Sequence, residues 1–194
     1  YTGESCIPWA GGVTGDGFAI QGNILTGAEV VESMREAFTS NGASNRKLVD
    51  RMLEALLAGD RAGGDKRGRQ SAALLLVREG GGYGGLGDRA MDLRSDDHAD
   101  PVVELRRLAA LHSIYFEAPK PEEILEIDEP LAAEIQRIMK KLKAFDGPES
   151  GQFDDATSSA LKTLMGVENL EMKWLDGGRI DKRVLEFLKV RSQS

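Results

Sequence analysis

The sequence predicts an α+β fold followed by a small three-helix domain, and three observations carry that expectation. The first 117 residues read in the order strand, helix, helix, strand, strand, helix, which suits antiparallel pairing with helices outside. A polar, glycine-rich loop over Gly59–Gln70 runs into the unbroken apolar run Ser71–Val77, a pattern expected of a strand covered on both faces. Then Ala118-Pro119-Lys120-Pro121 interrupts the pattern, because each proline disfavours helix at the residue before it. We therefore divide the chain into a first domain (1–117), a linker (118–129) and a helical domain (130–194).

The totals bound what such a chain does. In 194 residues, 41% hydrophobic and 29% charged content describes a globular protein, not a disordered one. A net charge of −7 argues against a nucleic-acid binder, whose footprint is basic. No apolar run reaches membrane-spanning length. The single cysteine, Cys6, excludes an internal disulfide framework and a cysteine-rich zinc site, and leaves the compartment open. The chain starts at Tyr1 without methionine, in what reads as the end of a strand, so a fragment of a longer protein is expected.

Residues 1–16, rich in Gly, Thr and Pro, read as a loop over Cys6 and Trp9. Phe18–Leu25 reads as a strand. Thr26-Gly27-Ala28-Glu29 matches a capping box, and Val30, Met34, Ala37 and Phe38 follow at helical spacing until Asn41-Gly42. A second helix is expected over 46–58, with Leu48, Met52, Leu53, Leu56 and Leu57 inward and Gly59 as its stop. Ser71–Val77 and the alternating Arg89–Arg94 read as a β-hairpin with a long glycine-rich tip. Asp100-Pro101 is a strong helix start, cap then first helical residue. In the tail, three apolar faces mark helices: Leu131, Ile135, Ile138 and Met139; Ala160, Leu161 and Leu164; Val184, Leu185 and Leu188. Asp154 or Asp155 should cap the second of these, and Asp181 the third.

The candidate chemistry gathers in polar blocks at strand ends. Asp65, Arg67 and Arg69 could orient an amine or a carboxylate, and arginine's planar fork suits the latter. Gln70 and Ser71 adjoin them; Ser71 as a nucleophile would need a base, and only two histidines exist. Gln21 and Asn23 flank Gly22 at the end of the first strand and could donate to a developing oxyanion. Asp96, Asp97, His98 and Asp100 could hold a hard cation, but a turn entering a capped helix calls for the same residue types. His112, on an apolar helical face, reads as a core histidine. Gly82-Tyr83-Gly84-Gly85-Leu86-Gly87 matches the dinucleotide fingerprint, yet a strand follows where phosphate binding needs a helix N-terminus. No metal or cofactor is expected.

These blocks together are familiar. Thr2-Gly3, Cys6, Trp9-Ala10-Gly11, Gln21-Gly22-Asn23-Ile24-Leu25, Gly63-Gly64-Asp65, Arg67-Gly68-Arg69-Gln70-Ser71, Asp92-Leu93-Arg94, Asp97-His98 and Pro101 resemble domain-of-unknown-function family 1028, over Tyr1 to about Tyr115. That family looks like a branch of the N-terminal-nucleophile hydrolases. The resemblance implies a four-layer αββα sandwich, part of it present here, and an amide-bond substrate. It implies that a nucleophile upstream of Tyr1 is missing from this chain. Asn23, Asp65 and Arg69 would then support catalysis, with Gln21, Arg67, Gln70, Ser71 and His98 binding substrate. The tail is similar to a peptidoglycan-binding family over about 130–188, through Ile135-Gln136, Gly151-Gln152-Phe153-Asp154, Ala160-Leu161, Glu168-Asn169-Leu170, Trp174 and Ile180-Asp181. The expected function is an amidohydrolase acting on a small-molecule or peptide amide. The alternative is a non-catalytic binding protein directed to peptidoglycan through 130–194, and a structural homo-oligomer is the third reading.

Overall fold

The computed structural model describes residues 3–40 and 45–193, so the helix stop expected at Asn41-Gly42 lies outside the described residues. The fold is α+β with small antiparallel sheets, and the chain separates into two compact units, 1–110 and 111–194.

In the first unit, β1 (Gly11–Gly15) and β2 (Phe18–Gly22) form a hairpin with Val13 opposite Ile20. The loop expected over 1–16 thus contains a strand: three glycines in five residues carry little strand propensity, and pairing with β2 supplies what propensity does not. Helix α1 (Ala28–Thr39) buries Val30 and Val31. The expected capping box does not form, since Gly27 is the N-cap and no side chain caps it. Thr26 is used otherwise, its backbone N–H donating to the Gly64 carbonyl at 3.0 Å.

Helix α2 (Leu48–Arg61) runs through Gly59 instead of stopping there. Gly59 is buried, and a side chain on it would stand 2.7 Å from Met34 Cγ of α1. It is therefore a helix-contact glycine, and Leu48, expected inward, is 45% exposed. The hairpin of β3 (Ala72–Val77) and β4 (Arg89–Ser95) pairs Leu74 with Leu93 and Leu76 with Met91. One face of it packs Leu74 and Met91 against Val49 and Leu53 of α2 and Leu105 and Ala109 of α3 (Pro101–Phe116). The other face carries Leu75 and Val77, 53% and 61% exposed. The expectation of a strand covered on both sides is thus corrected: continuous apolarity made Ser71–Val77 look two-sided, and one face is covered by the described residues.

The second unit takes up the last residues of α3 and continues into β5 (Ile124–Glu126), within the stretch read as linker. β5 pairs with β6 (Arg179–Asp181), Leu125 facing Ile180. Helices α4 (Glu129–Lys141), α5 (Asp155–Val167) and α6 (Lys182–Arg191) enclose Ile135, Met139, Leu161, Leu170, Val184 and Leu188. Each helix starts on an aspartate: Asp128, Asp154 and Asp181 accept from the amides of Leu131, Thr157 and Arg183 at 3.0, 2.8 and 2.9 Å.

Gln136, fully buried on α4, satisfies the loop that leads to α5. Its Nε2 donates to the Gln152 carbonyl and to Thr157 Oγ1, both at 3.0 Å, and its Oε1 accepts from Gly151 N at 3.0 Å. Asp181 also accepts two bonds from Arg183, whose Nη1 donates to Ser113 Oγ at 2.9 Å. Beside them Lys173 is buried and donates to the Glu117 carbonyl, and burial holds its pKa below the ordinary lysine value.

Candidate functional site

The loop from Gly63 to Ser71 closes one side of a cleft of about 780 Å³ in the first unit. Val30 and Met34 of α1, Leu56 of α2 and Val102 of α3 give it an apolar floor, and Asp65, Arg67, Arg69, Gln70 and Ser71 give it a polar rim.

Backbone hydrogen bonds, not side chains, set the path of that loop. Gly63 N and Gly64 N donate to the carbonyls of Asp60 and Gly59, ending α2. Lys66 N donates to the Ile24 carbonyl at 2.8 Å, and Leu25 bridges to Asp65. Gly63 has φ +116°, and a side chain there would run into Thr26 Oγ1, so both backbone conformation and space call for glycine.

Within this frame the charges pair off. Asp65 Oδ1 accepts from the backbone N of Arg67 at 2.8 Å and from its Nε at 3.0 Å, and Oδ2 accepts from Nη2 at 2.8 Å. Those bonds lower the Asp65 pKa, so at neutral pH it is an ionised acceptor and not a proton carrier. Arg69 spans two helices: Nε donates to Asp60 Oδ1 on α2 and Nη1 to Asp100 Oδ1 before α3, both at 2.7 Å. The Asp60 bond is the main cause of its raised pKa. Arg67 is the more open of the two, its side chain 73% exposed against 48% for Arg69.

Of the residues expected from sequence, the structure brings Asp65, Arg67, Arg69, Gln70 and Ser71 to this one cleft. His98 joins their edge: its backbone N donates to the Gln70 carbonyl at 2.9 Å, while its Nδ1 accepts from Asp100 N at 2.9 Å. That bond uses the ring nitrogen to turn the chain into α3. Gln21 and Asn23 are exposed and do not line the cleft. Gln21 faces Gly12 across the first hairpin, and Asn23 adjoins Ile24, which holds Lys66. Among the described residues no three of His, Cys, Asp and Glu stand close enough to hold a metal ion. The segment 82–87, which matches the dinucleotide fingerprint, forms the hairpin tip, with a single 3-10 turn at Tyr83–Gly85.

Asp60 and Asp100 are the site residues that sequence reasoning did not assign. Asp60 carried a signal: a carboxylate in the last turn of a helix opposes the helix dipole and calls for a cation, here Arg69. Asp100 reads from sequence as a cap or as one of a group of cation ligands, and its carboxylate accepts from Arg69. The arrangement fixes two guanidinium groups beside an apolar floor, a geometry for orienting a polar ligand. It holds no side-chain nucleophile and base within bonding distance among the described residues.

No curated protein matches the chain. A Silicibacter pomeroyi protein of known crystal structure, described as belonging to the same family as the first unit, is 27% identical, with a TM-score of 0.48. The match covers 58% of this chain and 46% of that one, so the chain spans about half the length of that relative. Residues 115–188 match the family model described as "Putative peptidoglycan binding domain". Residues 1–105, more than half of the sequence, match the model of a family of unknown function, DUF1028, and the chain belongs to that family.

Proposed function

We propose that this protein is directed to the bacterial cell wall and binds peptidoglycan through the region 115–188. The observation that carries this reading is the match of those residues to a peptidoglycan-binding family model. The surface there suits a sugar-peptide polymer. Trp174 is half-buried, its Nε1 donating to Asp176 at 2.9 Å, and the Lys162 ammonium lies 5.5 Å above its ring. Cosedimentation of the whole chain with purified, insoluble peptidoglycan tests it. The protein should enter the pellet and be released by soluble peptidoglycan fragments; a chain that stays in the supernatant refutes the reading.

A second reading, amide hydrolysis by a member of the N-terminal-nucleophile class on a four-layer αββα sandwich, is favoured by the cleft at Asp65–Ser71. In it Asp65 and Arg69 hold the cleft in shape, and Arg67, Gln70 and Ser71 contact the substrate with His98 at their edge. Asn23 and Gln21, which do not line the cleft, serve as oxyanion donor and substrate contact only where the substrate reaches beyond it. The nucleophile of that class is the first residue of a mature chain, and no residue described above is assigned the role. A panel of N-acyl amides assayed with wild type, Asn23→Ala and Asp65→Ala tests it. Each variant should lower turnover about tenfold or more, and equal rates in all three would remove these assignments.

A further inference from the structure

We infer that the cleft at Gly63–Ser71 is a binding site for an N-acylated amino acid or short peptide with a free carboxylate and an apolar side chain. The inference deepens the hydrolase reading by naming the ligand class, and it stands on binding, whether or not turnover follows.

Two guanidinium groups, each oriented by carboxylates, carry it. Asp65 takes Nε and Nη2 of Arg67, and Asp60 and Asp100 take Nε and Nη1 of Arg69. Each arginine is thereby turned toward its carboxylates while one amino group, Nη1 of Arg67 and Nη2 of Arg69, bonds no described residue. Donors fixed in advance lose little entropy on meeting a ligand, and guanidinium matches the planar carboxylate. Gln70 and Ser71, exposed on the same rim, supply neutral donors and acceptors of the kind an acyl amide needs.

The floor sets the rest of the ligand. Val30 and Val102 are nearly buried, and with Met34 and Leu56 they offer an aliphatic surface below the charged rim. The cleft volume of about 780 Å³ falls in the usual range for small-molecule sites. The lining charges Asp60, Asp65, Arg67 and Arg69 sum to zero, and Asp100 beside them leaves the group at −1, so recognition of a carboxylate works through short hydrogen bonds and not a long-range field. Binding should therefore depend only weakly on salt.

The test is calorimetric titration of the whole chain with N-acetyl-L-leucine, N-acetyl-L-leucinamide and N-acetylglycine. The leucine acid should bind tightest, with the amide about tenfold weaker for loss of the charge-assisted bonds and the glycine acid weaker for loss of the apolar contact. Arg67→Gln should bring the leucine acid down to the level of its amide and leave the amide unchanged. This variant suits the purpose because Arg67 is open and is tied only to Asp65, two residues away. Arg67→Lys, which keeps the charge and loses the fork, should fall between. Equal binding of acid and amide, unaltered binding in Arg67→Gln, or no saturable binding of any of the three overturns the proposal. Binding without hydrolysis would sustain it and count against the hydrolase reading alone.

Discussion

Replacing Gln136 by leucine should destabilise the second unit severely while leaving its apolar volume nearly unchanged. The wild-type amide meets four neighbours in a site with no solvent access: Gly151 N, the Gln152 carbonyl, Thr157 Oγ1 and, at a longer 3.4 Å, Ser150 Oγ. Leucine answers none of them. The Gln152 carbonyl keeps a second bond from Thr157 Oγ1 at 3.3 Å, so the full penalty falls on the orphaned Gly151 N–H and a smaller one on the hydroxyl. A buried, unsatisfied donor costs roughly 1–3 kcal/mol, which puts the substitution at about 2–4 kcal/mol. For a unit of this size that lowers Tm by about 10 °C or more. The chain has two tryptophans, Trp9 in the first unit and Trp174 in the second, so urea melts read by fluorescence in a Trp9→Phe background report on the second unit. Thr157→Val should cost less alone, and the double variant should cost less than the sum, because both lose one network. A Gln136→Leu melt within about 0.5 kcal/mol of wild type would refute the reasoning.

Leu105→Ala, at a fully buried position between α2, α3 and the β3–β4 hairpin, should destabilise the first unit by about 2–5 kcal/mol in the same melts, in a Trp174→Phe background. Gly63→Ala should lower Tm more than Gly68→Ala, since both have positive φ but only Gly63 also meets Thr26. His112 has a buried Nδ1 with no partner among the described residues, and burial lowers its pKa from the ordinary value of 6.5. The neutral form is favoured by folding, so its contribution is present above pH 6.5 and is lost as the pH falls toward the folded pKa. His112→Leu should therefore flatten the decline in Tm between pH 7.5 and 5, and an unchanged slope would count against it. Asp65, also lowered, contributes above about pH 4, and Arg67→Gln should weaken the loss of stability seen in acid below that point.

What could be read from the sequence followed from local rules. Asp154 and Asp181 cap their helices because a carboxylate before an apolar periodic run has few other uses. The β3–β4 hairpin was legible because alternation in Arg89–Arg94 shows one face inward. The misreadings share one cause, competition between local signal and tertiary contact. Thr26-Gly27-Ala28-Glu29 is a good capping box that loses Thr26 to the loop 63–66. Gly59 looks like a helix stop, but an unseen partner, Met34, explains it better. β1 is held by its hairpin with β2 and β5 by the distant β6, and five or three residues give periodicity too little to work on. In the candidate site, the residues of one continuous block were found together, whereas Asp60 and Asp100 are drawn in by Arg69 across 9 and 31 positions. Pairing over that span leaves no trace in spacing.

The loop that borders the cleft is anchored unevenly along its length. Its backbone hydrogen bonds to α2 and to residues 24–26 all fall between Gly63 and Lys66, Arg69 ties the far side to Asp60, and a side chain at Gly68 would meet only open space. Extra residues spliced in after Gly68 would thus lengthen the rim between its backbone anchors at Gly63–Lys66 and the ties made by Arg69 and Gln70, whereas one added before Lys66 would throw the register with Ile24 out of step. The segment is a natural place for laboratory diversification of ligand preference on an otherwise unaltered scaffold.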